Sequence, residues 1–338
     1  MLISWNTTRA CNLACRHCYR DAGTKQNDEL DTEEARVLLE QIKKAGFRLV
    51  ILSGGEPLLR KDIYELIAYA KGLDLKPVLG SNGTLIDQKS ARRLKETGLA
   101  RAGISLDSAD SKVHDAFRGQ SGSWQRSVDG MKNCRDAGLE FQMHTTITPF
   151  NCDEMEGLAD LAQALGAEAY HIFFLVPVGR AKEMQEEIDK QAFDHERLLR
   201  KILDRQKSLD IQIKITCAPQ FMRLADQMGL EIPYKRGCLA GISYCAVLPN
   251  GDVHPCPYLP VVVGNVRRQS FLDIWQGNEI LRQLRRAELK GNCGICKYRS
   301  SCGGCRARAY FYSGGDYMAE DPWCSYQAGK ANPKEESF

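Results

Sequence analysis

The chain has 338 residues, of which 43% are hydrophobic and 26% are charged, and its 46 basic and 43 acidic residues leave a net charge of only +3. This length predicts two domains, or one barrel-sized unit with an addition, and the balanced charge argues against nucleic acid as a partner. The first residues lack the order of a secretory signal, and no apolar run is long enough to cross a bilayer, so we expect a cytoplasmic protein with no membrane partner.

Short runs of β-branched or aromatic residues alternate with longer helical patterns over residues 2 to 215. The predicted strands are Leu2–Asn6, Leu49–Leu52, Pro77–Gly80, Ala102–Leu106, Phe141–Ile147 and Tyr170–Val176. Helical patterns such as Thr32–Ala45, with Asp31 as its cap and Gly46 as its stop, and Asp153–Leu165 lie between them. This order predicts an α/β fold with parallel strands and right-handed crossovers, built as a partial (β/α)6 barrel of the TIM type over residues 1–215. The charged stretch Ala181–Asp210 is predicted to be a solvated connector.

Three cysteines, Cys11, Cys15 and Cys18, follow the first predicted strand with the spacing C-x-x-x-C-x-x-C. The 14 cysteines of the chain are too few for a disulfide scaffold, yet more than packing in a reducing cytosol requires. Three thiolates cannot complete a structural zinc site, and His17 is too close to Cys18 along the backbone to bind with it without strain. An iron–sulfur cube held by three cysteines keeps one iron open for a ligand. The spacing therefore favours a [4Fe-4S] cluster over zinc.

The triad, together with Tyr19, resembles the signature of the radical S-adenosylmethionine (SAM) superfamily. The run Gly54–Pro57 resembles the superfamily's Gly-Gly-Glu-Pro motif, whose backbone receives the SAM amino group. The resemblance implies that the SAM-binding residues are Tyr19, Gly54, Gly55, Glu56, Ser81, Asn82, Ser105, Asp107, Arg118 and Val176. It also implies an enzyme whose reduced cluster cleaves SAM to a radical that abstracts a substrate hydrogen. His17 stands where relatives often carry an aromatic residue, and we interpret it as a polar residue at the edge of the cluster.

Residues 216–338 have short apolar runs, Gly-rich turns and eight cysteines after Gly237. Such a unit has too small a core without metal, and its C-x-x-C pairs suit zinc as well as iron. The cysteine order resembles a SPASM domain, which holds auxiliary iron–sulfur clusters. By that resemblance, one [4Fe-4S] cluster is held by Cys238, Cys245, Cys256 and Cys305, and a second by Cys293, Cys296, Cys302 and Cys324. A single auxiliary cluster is the alternative. The remaining cysteines lack partners at ligand spacing and are predicted to be buried thiols, namely Cys134, Cys152 and Cys217.

Longer stretches resemble a branch of the superfamily that acts on haem precursors and includes the NirJ-type haem d1 biosynthesis proteins and the haem b synthases of the alternative pathway. These stretches are Trp5–Leu13, His17–Gly23, Phe174–Arg180, Thr216–Gln220 and Cys302–Tyr310. The resemblance implies an iron tetrapyrrole whose carboxylate side chains are removed or decarboxylated, with reduced flavodoxin or ferredoxin as electron donor. Arg180, Arg306 and Arg308 are candidates to bind these carboxylates, because arginine matches a carboxylate bidentately. His144 and His171 face either the barrel or its exterior, and only the first orientation allows a role with substrate.

Two other functions remain open from the sequence. Most SPASM relatives modify ribosomally made peptides, and a peptide-recognition domain often precedes their first cluster, whereas here the first cluster begins at Cys11. A non-enzymatic iron–sulfur carrier is the third interpretation, and it would leave the SAM-binding motifs without a purpose. We therefore expect a radical SAM enzyme that acts on an iron tetrapyrrole.

Overall fold

A ten-stranded sheet organises the chain in the computed structural model, which describes residues 1–190 and 195–329. Its strands are β1 (Leu2–Asn6), β2 (Leu49–Ser53), β3 (Lys76–Ser81), β4 (Arg101–Ser105), β5 (Phe141–Ile147), β6 (Ala169–Phe174), β7 (Gln212–Thr216), β8 (Tyr244–Val247), β9 (Asp252–His254) and β10 (Gly264–Asn265). Their order across the sheet is β10-β9-β8-β1-β2-β3-β4-β5-β6-β7. Neighbours from β8 to β7 are parallel, whereas β9 and β10 pair antiparallel at one edge. The predicted α/β fold with a partial parallel barrel is confirmed.

Two parallel strands add to the six that the sequence pattern predicts. β7 pairs with β6 at one edge, and the predicted boundary at residue 215 falls within it. β8 comes from the cysteine-rich part and pairs with β1, so that Tyr244 lies opposite Leu2 and Cys245 opposite Ile3. The cysteine-rich part therefore extends the barrel sheet directly beside the strand that leads into the cysteine triad.

Most of the helices connect consecutive strands. They are α1 (Thr32–Lys44), α2 (Ile63–Gly72), α3 (Gln88–Glu96), α4 (Ser111–Arg118), α5 (Ser123–Asp136), α6 (Met155–Leu165), α7 (Gln185–Lys190), α8 (His195–Gln206), α9 (Phe221–Gln227), α10 (Phe271–Gly277), α11 (Glu279–Arg286), α12 (Gly291–Ile295) and α13 (Arg306–Tyr312), with short 3₁₀ helices at Pro57–Leu59, Cys152–Glu154 and Gly179–Met184. Helix α1 begins with a capping box, in which the Asp31 side chain accepts from the Glu34 amide and the Glu34 side chain accepts from the Asp31 amide. Gly46 follows its end with φ of +82°, as the sequence predicts.

Alternate strand residues point to opposite faces of the sheet. One face packs against the helices in the main hydrophobic core, and its strand residues include Ile3, Trp5, Val50, Tyr170 and Cys245. The other face, which we call the inner face, carries the alternating residues Ser4, Asn6, Ser53, Ser105, His144, His171 and Lys214. Polar side chains thus collect on the inner face, below the strand ends where barrel enzymes carry out their chemistry.

Part of the predicted connector belongs to the core. Helix α8 buries Leu199 and Ile202 and contacts α6, α9 and β7, because apolar residues recur at helical spacing along its charged sequence. The interpretation of this stretch as solvated is therefore wrong for α8, while residues 191–194 lie outside the described residues. Within residues 1–190 and 195–329, no helix has both the length and the apolar character needed to cross a bilayer.

Candidate functional site

Cys11, Cys15 and Cys18 lie on the loop that follows β1, at the carboxyl end of the parallel strands. Each sulfur accepts a hydrogen bond. Two backbone amides of the loop donate to Cys11 and Cys18 at 3.4 and 3.5 Å, and the Arg118 guanidinium donates to Cys15 at 3.8 Å. Donors aimed at sulfur stabilise the thiolate and tune iron–sulfur clusters. The triad therefore fits the cluster that its spacing predicts.

Arg180 holds the triad loop from the side of the sixth strand. It lies in the 3₁₀ helix beyond β6, where its amide donates to the Cys18 carbonyl at 2.9 Å. Its Nε donates to the Cys15 carbonyl at 3.0 Å, and its Nη1 donates to the Ala22 carbonyl at 2.8 Å. Gly179 permits this approach, because an added Cβ would lie 2.5 Å from the Cys18 carbonyl oxygen. The structure thus gives the Arg180 guanidinium a positioning role in the triad loop, while its predicted contact with substrate stays a prediction.

Gly54 and Gly55 bring the end of β2 against the same loop. A Cβ on Gly54 would lie 2.4 Å from the Thr8 carbonyl oxygen, and one on Gly55 would lie 2.2 Å from the Ala10 carbonyl oxygen. The Gly55 and Glu56 amides donate to these two oxygens at 2.8 and 2.7 Å. A side chain at either position would push the two loops apart. This explains why the Gly-Gly-Glu-Pro run has glycine at its first two positions in this fold.

Four of the predicted SAM-binding residues form one hydrogen-bond network at adjacent strand ends. The fully buried Glu56 carboxylate accepts from the Ser81 hydroxyl and from the Asn82 amide, both at 2.9 Å. The Ser105 hydroxyl donates to the Ser81 carbonyl at 3.4 Å and extends the network to β4. Burial raises the pKa of Glu56 to about 7, although these hydrogen bonds favour the ionised form. The network links the ends of β2, β3 and β4 beside the triad.

A buried ion pair lies on another side of the triad. Asp107 is 1% exposed and accepts from Arg118 Nε at 2.6 Å, and Arg118 reaches on to the Cys15 sulfur. Burial alone would raise the pKa of Asp107, but the charges of Arg118 and two nearby histidines hold it at about 2. One of them, His17, stacks on Phe117 with ring centroids 4.2 Å apart, and burial lowers its pKa to about 3. His17 is therefore a buried ring that packs as an aromatic residue would, which corrects its interpretation as a polar edge residue.

Tyr19 and Val176 lie where the triad loop meets the cysteine-rich part. The Tyr19 ring centroid is 4.9 Å from that of Tyr258. Val176 is buried in a small hydrophobic cluster with Cys256 and Cys305, and Tyr19 packs against the same cluster. These two predicted SAM-binding residues therefore connect the triad loop with the auxiliary cysteines.

The structure places His144 and His171 on the inner face, the orientation that allows a role with substrate. They lie in register on β5 and β6 with ring centroids 5.0 Å apart, and Phe173 stacks on His171 at 4.2 Å. His171 Nε2 lies 2.7 Å from the Thr216 hydroxyl, whereas the buried Nε2 of His144 has no partner in the described residues. Burial lowers the pKa of His144 to about 3, so its ring is neutral. Gly103 makes room for that ring, since a Cβ there would lie 2.2 Å from it.

Cys293, Cys296, Cys302 and Cys324 lie together in the C-terminal part, as the order of the cysteines predicts. Burial and the charges of Cys324 and Cys293 raise the pKa of Cys302, and Cys296 in turn raises that of Cys293. The buried Arg306 donates to the Cys293 sulfur at 3.9 Å and to two backbone carbonyls at 3.0 and 2.7 Å. Arg306 therefore serves this cysteine set and is not available to substrate.

The other cysteine set differs from the assignment by order. Cys256 and Cys305 are buried in the small hydrophobic cluster, and Cys238 and Cys217 pack against it. Cys217 shares this apolar environment with the other three cysteines. Cys217 is therefore not an isolated thiol, which corrects the expectation from its spacing. The available signal was its place directly after β7, at the carboxyl end of a parallel strand.

Cys245 lies apart from these cysteines. It is fully buried in the main core, on the helix-packed face of β8, and it is in register with Ile3 of β1. Burial raises the pKa of its thiol, and the charge of Arg285 lowers it. The alternation of strand residues therefore directs Cys245 away from the inner face, which corrects its inclusion in the first auxiliary set.

A second buried ion pair lies between the two auxiliary sets. Arg308 and Asp321 are both fully shielded from solvent and pair at 3.2 Å. Asp321 also accepts from the Cys305 amide at 2.7 Å and from the Gln220 amide group at 2.8 Å, and Arg308 donates to the Cys217 carbonyl at 2.6 Å. Arg308 is therefore committed to the auxiliary region, and the expectation that it binds substrate is wrong.

The cysteine sets can be compared with the arrangement that a single metal ion requires. Over residues 1–190 and 195–329, no three His, Cys, Asp or Glu side chains are arranged to hold one metal ion. A cube does not need that arrangement, because each sulfur binds a different iron.

Comparison with known proteins identifies the family. Residues 5–162 match the model of the radical SAM superfamily, and residues 238–306 match that of the SPASM iron–sulfur cluster-binding domain. AdoMet-dependent heme synthases of Methanosarcina barkeri and Nitratidesulfovibrio vulgaris are 43% and 41% identical, over 97% and 98% of this chain and 97% and 94% of theirs. Pre-heme d1 synthase of Dinoroseobacter shibae is 32% identical over 97% of this chain and 87% of that protein.

Solved structures agree on the fold. Streptococcus suis SuiB, solved with its precursor peptide SuiA, gives a TM-score of 0.76 at 18% identity and covers 96% of this chain and 76% of SuiB. The chain therefore belongs to the radical SAM superfamily, in the SPASM-containing branch that includes the AdoMet-dependent heme synthases, and it is a radical SAM enzyme with iron–sulfur clusters.

Proposed function

We propose that the enzyme decarboxylates propionate side chains of an iron tetrapyrrole of the coproporphyrin type and leaves vinyl groups. The observation that carries this proposal is the 43% identity, over 97% of both chains, with a protein named AdoMet-dependent heme synthase. Haem differs from an iron coproporphyrin by vinyl groups in place of two propionates. The lower identity to pre-heme d1 synthase, 32%, favours vinyl formation over cleavage to a shortened side chain.

The proposed reaction takes up one electron and releases one. Cys11, Cys15 and Cys18 would hold the cluster that reduces SAM by one electron, and the bound cofactors would supply a 5′-deoxyadenosyl radical able to take a hydrogen atom from the propionate β-carbon. The substrate radical loses CO2 and one electron, so that a C=C bond forms as the bond to the carboxylate carbon breaks. An auxiliary cluster is suited to accept that electron, and reduced flavodoxin or ferredoxin is the donor that we propose for the first one.

The residues of the chain would hold the SAM site in place and give the tetrapyrrole access to it. The Glu56 network and the Asp107–Arg118 pair would hold the SAM site from two sides, while Arg180 fixes the triad loop. The inner face offers a macrocycle the unpartnered nitrogen of His144 and the aromatic ring of Phe173. Since the reacting carbon must lie within about 3–4 Å of the radical carbon, the tetrapyrrole would enter the barrel mouth by one edge.

Two auxiliary [4Fe-4S] clusters complete the proposal. One would be held by Cys293, Cys296, Cys302 and Cys324, and the other by Cys238, Cys256, Cys305 and a fourth cysteine. Their support is the separation of these thiols into two groups, each with at least one buried cysteine. Iron and sulfide analysis of a variant without the triad cysteines should find about eight irons. About four irons would mean a single auxiliary cluster, and zinc without sulfide would contradict both.

The proposed reaction is tested by anaerobic reconstitution and incubation with SAM, a reductant and iron coproporphyrin. Mass spectrometry should find a product lighter by CO2 and two hydrogens for each reacted propionate, with one 5′-deoxyadenosine formed per vinyl group. Haem is the matched control substrate, because its vinyl groups are already present and it should give only uncoupled SAM cleavage. Modification of a small peptide, with no tetrapyrrole bound below about 100 μM, would establish the peptide maturase alternative instead.

A further inference from the structure

The first inference concerns the incomplete auxiliary set and rests on the auxiliary clusters proposed above. We propose that Cys217 is the fourth ligand of the cluster held by Cys238, Cys256 and Cys305, and that Cys245 is not a ligand.

The four thiols lie around one apolar cluster, in which Cys256 and Cys305 are buried and Cys217 and Cys238 are half-buried. Cys217 interacts electrostatically with Cys305 and Cys256, and Cys256 interacts with Cys238 and Cys305. All four belong to or pack against the same small hydrophobic cluster, which also includes Val176. A set of four thiols in an apolar enclosure is the environment that a fully ligated cube requires.

The backbone around Cys217 is built to direct its side chain there. Its φ of +62° is in the left-handed region, which costs energy for a residue with a Cβ. Arg308 holds this conformation by donating to the Cys217 carbonyl at 2.6 Å. Pro219, two residues after Cys217, packs closely on Gly237. A Cβ added to Gly237 would lie 2.6 Å from the Pro219 Cβ. The segment is thereby fixed beside Cys238, which follows Gly237.

Cys245 cannot reach the same site from its strand. The residues of β8 on either side of it are Tyr244, which packs against the auxiliary cysteines, and Ala246, whereas Cys245 itself is in the main core with Val247. A change of face would need a shift of the β8–β1 register by one residue, which would also expose Val247.

The test compares Cys217→Ser with Cys245→Val, a replacement of similar volume, in protein that lacks the triad cysteines. The readouts are iron and sulfide content and Mössbauer spectra, which do not depend on activity. Cys245→Val should keep all auxiliary iron. Cys217→Ser should lose about half of it, or convert one cube to a three-iron form with a new paramagnetic signal in oxidised protein.

Two results would overturn the assignment. One is unchanged iron and spectra in Cys217→Ser. The other is a loss of auxiliary iron in Cys245→Val that Cys245→Ala shows as well. If the parent holds only about four irons, the two-cluster proposal fails, and the same comparison then decides whether Cys217 binds the one that remains.

A second and independent observation concerns Arg20, the residue after Tyr19 in the triad loop. The Nε and Nη2 atoms of an arginine form the edge that binds a carboxylate with two parallel hydrogen bonds. Arg60 uses this edge to bind Asp62 at 2.7 and 2.9 Å, and Arg267 uses it to bind Glu34 at 2.6 and 2.7 Å. In Arg20, Nε and Nη2 are both buried and have no hydrogen-bond partner. Among the described residues, no other arginine has both of these atoms buried without a partner.

Among the described residues, no carboxylate is hydrogen-bonded to that edge of Arg20. Its guanidinium carbon lies 5.1 Å from the Tyr19 ring centroid, and the nearby His254 has a buried Nδ1 without a partner. A buried charged fork without a partner is costly, and a carboxylate ligand would relieve that cost.

We infer that Arg20 binds a propionate carboxylate of the tetrapyrrole, an inference that rests on the proposed substrate. The SAM carboxylate has the same chemistry, and the experiment separates the two. Soret titration gives the affinity for iron coproporphyrin and for its tetramethyl ester, and a separate titration gives the affinity for SAM. Arg20→Gln should weaken binding of iron coproporphyrin by about 10-fold to 100-fold and leave the affinities for the ester and for SAM unchanged.

Arg20→Lys, which keeps the charge but loses the fork, should give an intermediate affinity, and the exposed Arg92→Gln is the matched control. Iron content verifies that each variant retains its clusters. Equal weakening of acid and ester, or weakening of SAM alone, would overturn the assignment to propionate. Failure of the unaltered enzyme to bind iron coproporphyrin at all would instead contradict the proposed function.

Discussion

The triad and the first auxiliary set hold their cysteines in opposite ways. The triad cysteines come from one short loop after β1, and their sulfurs accept hydrogen bonds from that loop and from Arg118. The auxiliary cysteines come from separate segments that the extended sheet brings together, in an apolar cluster beside the Arg308–Asp321 pair. Three local ligands leave an iron open for SAM, whereas four ligands close a cluster and suit it to electron transfer. The difference shows how one ligand type can serve two chemical roles.

The largest effect is expected when the triad is removed, by replacing Cys11, Cys15 and Cys18 with alanine. Reductive SAM cleavage should be abolished, because four cysteines are proposed for each auxiliary set and would leave no iron open, while the auxiliary iron persists. The measurement is 5′-deoxyadenosine formation together with iron analysis. Formation of 5′-deoxyadenosine at the original rate would show that the triad is not the SAM cluster.

Asp321→Asn tests the support of the auxiliary region. It leaves the fully buried Arg308 without its counter-charge and weakens the bond from the Cys305 amide, so the free energy of unfolding should fall by about 3–5 kcal/mol. Urea unfolding of reconstituted protein measures this, with Asp74→Asn as control, because the pair of Asp74 with Lys43 is exposed and should contribute little. Equal stability of the two variants would contradict the role of Asp321.

Arg180→Ala tests the support of the triad loop. Two side-chain hydrogen bonds to the loop disappear, so we expect SAM cleavage to fall by about 10-fold while tetrapyrrole affinity changes little. The measurement pairs 5′-deoxyadenosine formation with Soret titration. The reverse pattern, weak tetrapyrrole binding with normal SAM cleavage, would support the role in substrate binding that the sequence predicted.

The smallest effect is expected at Cys134, a cysteine outside all three sets. Burial raises its pKa to about 12, so it stays a thiol, and it packs in the main core. Cys134→Ala should retain all the iron and lose about 1 kcal/mol of stability from the deleted buried atom. Iron analysis and urea unfolding provide the test, and any loss of iron would mean that a fourth cysteine group exists.

Sequence reasoning succeeded where the chemistry is local. The strand and helix pattern predicted the barrel, and the spacing of Cys11, Cys15 and Cys18 predicted a triad on one loop. Cys293 and Cys296 likewise lie close together in sequence, and their set is together in the structure.

Sequence reasoning failed where strand pairing and burial determine the surroundings of a residue. The face on which Cys245 lies depends on the register of β8 with β1, and no sequence spacing reports that pairing. Cys217 gains its neighbours only because β7 ends near the segments of Cys238 and Cys305. Arg306 and Arg308 have the composition of substrate-binding residues, and only burial shows that they serve the cysteine sets.

The most direct test of the proposed chemistry uses iron coproporphyrin with deuterium on the β-carbons of its propionates. Anaerobic turnover with SAM and reductant should transfer one deuterium to each 5′-deoxyadenosine formed and yield vinyl groups with CO2 in equal amount. Deuterium-free 5′-deoxyadenosine alongside unchanged tetrapyrrole would contradict hydrogen abstraction from the propionate, and with it the proposed function.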